Sequence, residues 1–114
     1  MNSETSGYDE NRVYNMLSLA KKAGKAKSGE FQALEAVEKR KAKLLILADD
    51  ASDNTKKRFS DKCDHRSIPR CEFGTRERLG KVTGSGERSV VAVTDTGFAD
   101  AITRLITAKG VTNG

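Results

Sequence analysis

The chain has 114 residues, 36% of them hydrophobic and 32% charged, with a formal net charge of +5. That size suits one domain with a real core, and the composition excludes collagen-like, proline-rich and compositionally disordered chains. No apolar run approaches the roughly 20 residues of a membrane span, residues 1–7 carry no basic, apolar leader, and two cysteines cannot build a disulfide framework, so a cytoplasmic, reducing location is expected.

Residues 1–8 read as a flexible tail, 9–110 as one domain and 111–114 as a fraying end. From Asp9 the pattern turns helical: Val13, Met16, Leu17, Ala20 and Ala23 recur at three- and four-residue spacing, and Gly24 is the stop. A short link, 25–29, leads to a helix over 30–40, capped by Ser28 or Gly29. Phe31, Leu34 and Val37 form its inner face, with Ala33 and Ala36 allowing close approach. The continuous apolar run 44–48 predicts a strand covered on both faces. Residues 49–54 supply helix caps, and a helix near 53–64 turns Phe59 and Cys63 inward. Pro69 places a short strand, 68–73, at an edge or strand start. Gly74 breaks the chain, and Thr75 caps a helix ending near Val82. Residues 83–88 form a loop with two glycines, 90–93 a second buried strand, and Phe98, Ala101, Ile102, Leu105 and Ile106 the inner face of a last helix closed by Gly110. Helices alternating with buried strands predict an α/β layered domain, with 44–48 and 90–93 at its centre.

The charge is uneven. Residues 21–43 carry eight Lys/Arg against three Glu, which matches the whole net excess. Lys21, Lys22, Lys25 and Lys27 form one cluster, and Lys39, Arg40, Lys41 and Lys43 the other. Such clusters suit a solvated face or a polyanion footprint, and no aromatic-rich apolar face beside them suggests a membrane. The turn 27–30 couples them to a helix start, where unpaired backbone N–H groups favour phosphate. Side chains of the first turn, Glu30, Phe31 and Gln32, would reach base edges there.

Other residues suit catalysis or metals. Asp49, Asp50 and Asp95 follow the two apolar runs and could hold Mg²⁺ in a phospho-accepting module, or simply cap helices. A receiver also needs a strand-end lysine, and no strand-like run follows Asp95; Lys109 lies at a helix end. Cys63, His65 and Cys71 offer three soft ligands without a fourth at zinc spacing; the usual outcome of such a pattern is two buried structural thiols and a histidine in a surface turn. Nucleophile-elbow, P-loop and dinucleotide-binding spacings are absent.

Taken in order, the segments 17–24, 28–30, 35–38 with 42–50, 79–84 and 89–93 resemble the L-seven-Ae superfamily of ribosomal proteins, and within it small bacterial YlxQ-like members. The resemblance spans about 13–106. It implies a three-layer α/β/α sandwich with a mixed four-stranded sheet, and kink-turn RNA binding without catalysis. The family's helix start, Gly-x-Asn-Glu-x-x-Lys, maps to 29–35, and a loop covering a flipped-out nucleotide maps to 84–88. Phe31 holds the Asn position, Gln32 the Glu position and Glu35 the Lys position, while Ser85 and Gly86 replace a more apolar loop. The resemblance therefore implies a flatter sequence preference. Lys22, Lys25 and Lys27 would hold phosphates, Ser28, Gly29 and Glu30 would set the helix start, and Gln32 would read a base edge. Gly84, Ser85, Gly86 and Arg88 would make the second loop. The expected partner is structured RNA, ribosomal RNA included, bound by a monomer with no cofactor. The competing classes are the Mg²⁺ or phospho-accepting module and a protein-interaction module facing an acidic partner.

Overall fold

The computed structural model describes residues 10–84 and 86–113; the expected tail at 1–8, Ser85 and residue 114 lie outside them. In chain order the elements are α1 (Glu10–Lys22), β1 (Ala26–Ser28), α2 (Glu30–Glu38), β2 (Leu44–Leu47), α3 (Asp53–His65), β3 (Arg70–Glu72), α4 (Arg76–Thr83), β4 (Val90–Val93) and α5 (Thr96–Asn113). The strands form one mixed sheet in the order β1-β4-β2-β3. β4 runs antiparallel to both β1 and β2, and β3 runs parallel to β2.

The two apolar runs occupy the centre because both faces of the sheet are covered. Leu45, Leu47, Val90 and Ala92 meet Ala33 and Val37 of α2 and Phe59 and Cys63 of α3. Leu44, Ile46, Val91 and Val93 meet Val13 and Leu17 of α1, Leu79 of α4 and Ile102 of α5. Each fully buried aliphatic side chain contributes about 1.5–3 kcal/mol. The result is an α/β/α sandwich. Ser52 caps α3 by accepting from the Thr55 N–H, and Thr75 caps α4 by accepting from the Arg78 N–H. Gly24, at φ 75, ends α1 as expected.

Four local expectations are corrected. The link at 25–29 contains β1, whose three residues are too few to show a period of two. α2 stops at Glu38 rather than Arg40, because Arg40 adopts φ 58 and the N–H groups of Lys41 and Ala42 turn back to the Ala36 carbonyl. α5 continues helically through Gly110 to Asn113, since glycine closes a helix only where the backbone turns left-handed. Phe31 points outward and is 83% exposed. The inner face of α2 is Ala33, Ala36 and Val37, small residues that let the helix lie close on β4.

Candidate nucleic-acid interface

The strand β1 delivers the start of α2 with no linker. The Gly29 N–H donates to the Val90 carbonyl at 2.9 Å, continuing the β1–β4 ladder, while the Gly29 carbonyl accepts the first helical bond from Ala33 at 2.9 Å. Serving both structures requires φ 95, a conformation that favours glycine. No side chain caps this helix. Its first-turn N–H groups, at Glu30, Phe31 and Gln32, lack intrahelical acceptors and carry the positive end of the helix dipole. Ser28, expected as a cap or a contact, is turned inward. Thr83 Oγ1 donates to the Leu79 carbonyl at 2.6 Å, so it is Ser28 Oγ that donates to Thr83 Oγ1 at 2.8 Å. The Glu30 carboxylate is also engaged: Arg58 of α3 pairs with it, and Thr55 Oγ1 donates to it at 3.3 Å. Gln32 is exposed.

The second glycine segment lies against the first. Arg88 is half-buried, and its side chain lies across both loops. A Cβ at Gly29 would come 3.5 Å from Arg88 Cδ, and one at Gly84 would come 3.2 Å from its Nε. The Arg88 N–H donates to the Arg76 carbonyl at 3.0 Å, and its Nη1 to the Glu87 carbonyl at 3.0 Å. Gly86 adopts φ 74, and its carbonyl packs on α4 at Gly80, where a Cβ would fall 1.7 Å from that oxygen. Sequence reasoning missed Gly80 as a support of this loop. The available signal was a lone glycine inside a helical pattern.

The lysines spread along the sheet edge instead of ringing one turn. The Thr94 N–H donates to the Lys25 carbonyl at 2.8 Å, so Lys25 sits at the opposite end of β1 from Gly29. Four residue-to-residue steps along the strand separate their backbones by roughly 13 Å. Lys22 closes α1 at that same far end. Only Lys27 lies mid-strand, in a groove of about 160 Å³ shared with Gln32, Glu35, Ala36, Lys39, Lys41 and Thr94. Among the described residues, no acid pairs with Lys21, Lys22, Lys25, Lys27, Lys41 or Lys43, whereas Lys56, Lys57, Arg58 and Lys62 of α3 each face one. The second basic cluster of the sequence therefore joins the first across α2, while the cations of α3 are neutralised.

The acidic constellation is not assembled. β2 and β4 are antiparallel, so Asp49 and Asp50 lie at one end of the sheet and Asp95 at the other. Asp95 caps α5 by accepting from the Phe98 N–H at 2.9 Å. Asp50 accepts from the Arg76 N–H at 2.8 Å, which holds its carboxyl below the ordinary value. A Mg²⁺-binding or phospho-accepting centre built from these three acids is thereby overturned.

Cys63 and Cys71 pack on opposite faces of the sheet, so they cannot share a metal with His65. Burial pushes the Cys63 thiol up to about 11 and the Cys71 thiol up to about 12, from an ordinary value of 9.0. The folded chain therefore retains protons that the unfolded chain releases above that ordinary value, and stability falls as pH rises from about 9 through 12. Urea midpoints should drop between pH 8 and 10.5. The slope should be shallower in a Cys63→Ala, Cys71→Ala variant; an unchanged slope would assign the loss to other groups.

Comparison with known proteins matches residues 11–103 to the ribosomal protein L7Ae/L30e/S12e/Gadd45 family. The RNA-binding protein YlxQ of Bacillus subtilis (strain 168) is 41% identical over 91 residues, covering 80% of this chain and 91% of that protein. The RNA-binding protein YlxQ of Enterococcus faecium is 34% identical over 95 residues, covering 83% and 91%. A solved protein of unknown function from Bacillus halodurans C superposes with a TM-score of 0.78 at 38% identity, covering 83% of this chain and 96% of that one. The Giardia lamblia 15.5kD RNA binding protein shares the fold, with a TM-score of 0.71 at 21% identity over 94% of this chain and 88% of that one.

Proposed function

The chain belongs to the ribosomal protein L7Ae/L30e/S12e/Gadd45 family, and from that premise we propose that it is a non-enzymatic, cytoplasmic RNA-binding protein acting as a monomer on structured RNA of the kink-turn type, ribosomal RNA included. The observation that carries this reading is the juxtaposition of two loops. The uncapped N-terminus of α2 lies beside Gly84 and Arg88, with the Arg88 side chain across Gly29 and Gly84, and opens onto the lysine-lined groove of the β1 edge. Backbone N–H groups of Glu30, Phe31 and Gln32 suit a phosphate, and the Gln32 amide can both donate to and accept from a base edge. The Glu30 carboxylate, held by Arg58 and Thr55, keeps the first turn in place and is not offered to the RNA. Lys27, Lys39 and Lys41 then track the backbone on one side, and Lys22 and Lys25 extend the footprint to the far end of the strand. A bent RNA would meet both loops at once, which a straight duplex would not.

Calorimetry or gel-shift against a kink-turn RNA and a straight duplex, across a salt series, tests this. Tighter binding to the kink-turn is expected. Equal weak binding to both would leave only a phosphate-driven footprint, and no binding at low salt would overturn RNA binding itself. Lys27→Ala should weaken all RNAs alike and lower the salt slope by roughly one unit. A changed preference between RNAs at an unaltered slope would contradict that role.

A further inference from the structure

Phe31 is the most exposed large apolar residue among the described ones, at 83%, and it stands in the first turn of the helix whose N-terminus faces the proposed RNA. Among the described residues its ring joins no core cluster: the side chain leaves the core to Ala33, Ala36 and Val37. It opens instead onto a shallow groove of about 280 Å³ with Leu34, Glu35, Glu38 and Lys39. We propose that Phe31 is a stacking platform for an unpaired nucleobase, so that the protein selects RNA in which a looped or extruded base stands next to the phosphates held at the start of α2. This rests on the RNA-binding reading above and adds a specificity determinant to it.

The surroundings favour a base over a protein side chain. The apolar patch is one ring and one partly buried leucine, far smaller than the contiguous apolar surface of a protein interface. Its acids do not repel a polyanion, because each is paired: Glu35 with Lys39 at 3.1 Å, Glu38 with Lys62 at 3.3 Å, and Glu30 with Arg58. Lys39 borders both this groove and the lysine groove containing Lys27, Lys41 and Gln32. An aromatic face beside cations and unpaired backbone N–H groups matches a nucleotide part by part, base on ring and phosphate on donors. Stacking tolerates any base, which accords with Gln32 as the sole amide side chain in the first turn.

The test compares wild type with Phe31→Ala, Phe31→Leu and Phe31→Tyr. The RNAs are a hairpin with an unpaired internal loop, carrying 2-aminopurine there, and a blunt duplex of equal length. Phe31→Ala and Phe31→Leu should each lose about tenfold in affinity for the looped RNA and under twofold for the duplex, while Phe31→Tyr keeps wild-type affinity. Wild type and Phe31→Tyr should quench the 2-aminopurine. The side chain is exposed, so circular dichroism should show all variants folded. Full affinity with Phe31→Ala or Phe31→Leu would overturn the stacking role while leaving RNA binding intact. Wild-type binding to neither RNA at low salt would bring down both. A loss of self-association in Phe31→Ala by light scattering, with RNA affinity unchanged, would assign the ring to a protein contact and overturn the proposal.

Discussion

Replacing Gly80 with alanine is expected to cost about tenfold or more in RNA affinity with little loss of global stability. The methyl group would fall 1.7 Å from the Gly86 carbonyl oxygen, a backbone atom that no rotamer change can clear. Alanine is the better helix former by about 1 kcal/mol, so α4 should hold its place and the surface loop should yield. Moving residues 86–88 removes Arg88 from its position over Gly29 and Gly84, the contact that couples the two halves of the interface. A tenfold loss corresponds to about 1.4 kcal/mol, the worth of one charge-assisted hydrogen bond. Thermal denaturation and RNA titration of the same sample separate the outcomes. A large fall in Tm with unchanged affinity per folded molecule would show that the helix, not the loop, gives way.

Phe59→Ala should destabilise the fold by about 3–5 kcal/mol, a large share of the 5–15 kcal/mol typical of a domain this size. The ring is fully buried in the cluster of Ala33, Val37, Leu45, Leu47 and Cys63, where truncation leaves a cavity between α3 and the sheet. The change also reaches the interface. Arg58 and Thr55, on the same helix, hold Glu30 in the first turn of α2, and the Arg58 guanidinium lies 5.2 Å from the Phe59 ring centre. RNA binding should weaken under conditions where the variant is still folded. Urea denaturation checks the first effect, and titration well below the unfolding midpoint checks the second. A loss under 1 kcal/mol would mean that α3 collapses into the space.

Phe31 and β1 show where sequence reasoning stopped. A periodicity argument places Phe31 inward because it lies three residues before Leu34, but the angular width of a short helix's buried face is set by its neighbours. Here α2 packs so closely on β4 that only Ala33, Ala36 and Val37 fit beneath it. The three residues of β1 carry no pattern of their own, and they become a strand only because β4 offers an antiparallel edge. The inward turn of Ser28 follows from that pairing, as does the separation of Lys25 from Gly29. Thr83 gained its role at the interface in the same way, through Ser28 some 55 positions away, while Gly80 gained its role from the chain folding back at Gly86.

The two buried strands, a helix cap somewhere in 49–54, the cap at Thr75, the stop at Gly24 and the surplus of positive charge in 21–43 were written in the order of residues. They depend on local periodicity, local hydrogen bonding and composition, which need no partner. Strand direction depended on the fold. An apolar run of four residues states that both of its faces are covered, not which way its neighbour runs. The antiparallel pairing of β2 with β4 separated Asp50 from Asp95, and the antiparallel pairing of β1 with β4 joined Gly29 to the loop at Arg88. Such pairings are decided by contacts between residues 43 to 49 positions apart for β2 with β4 and 63 to 67 apart for β1 with β4, whose energies no local window contains.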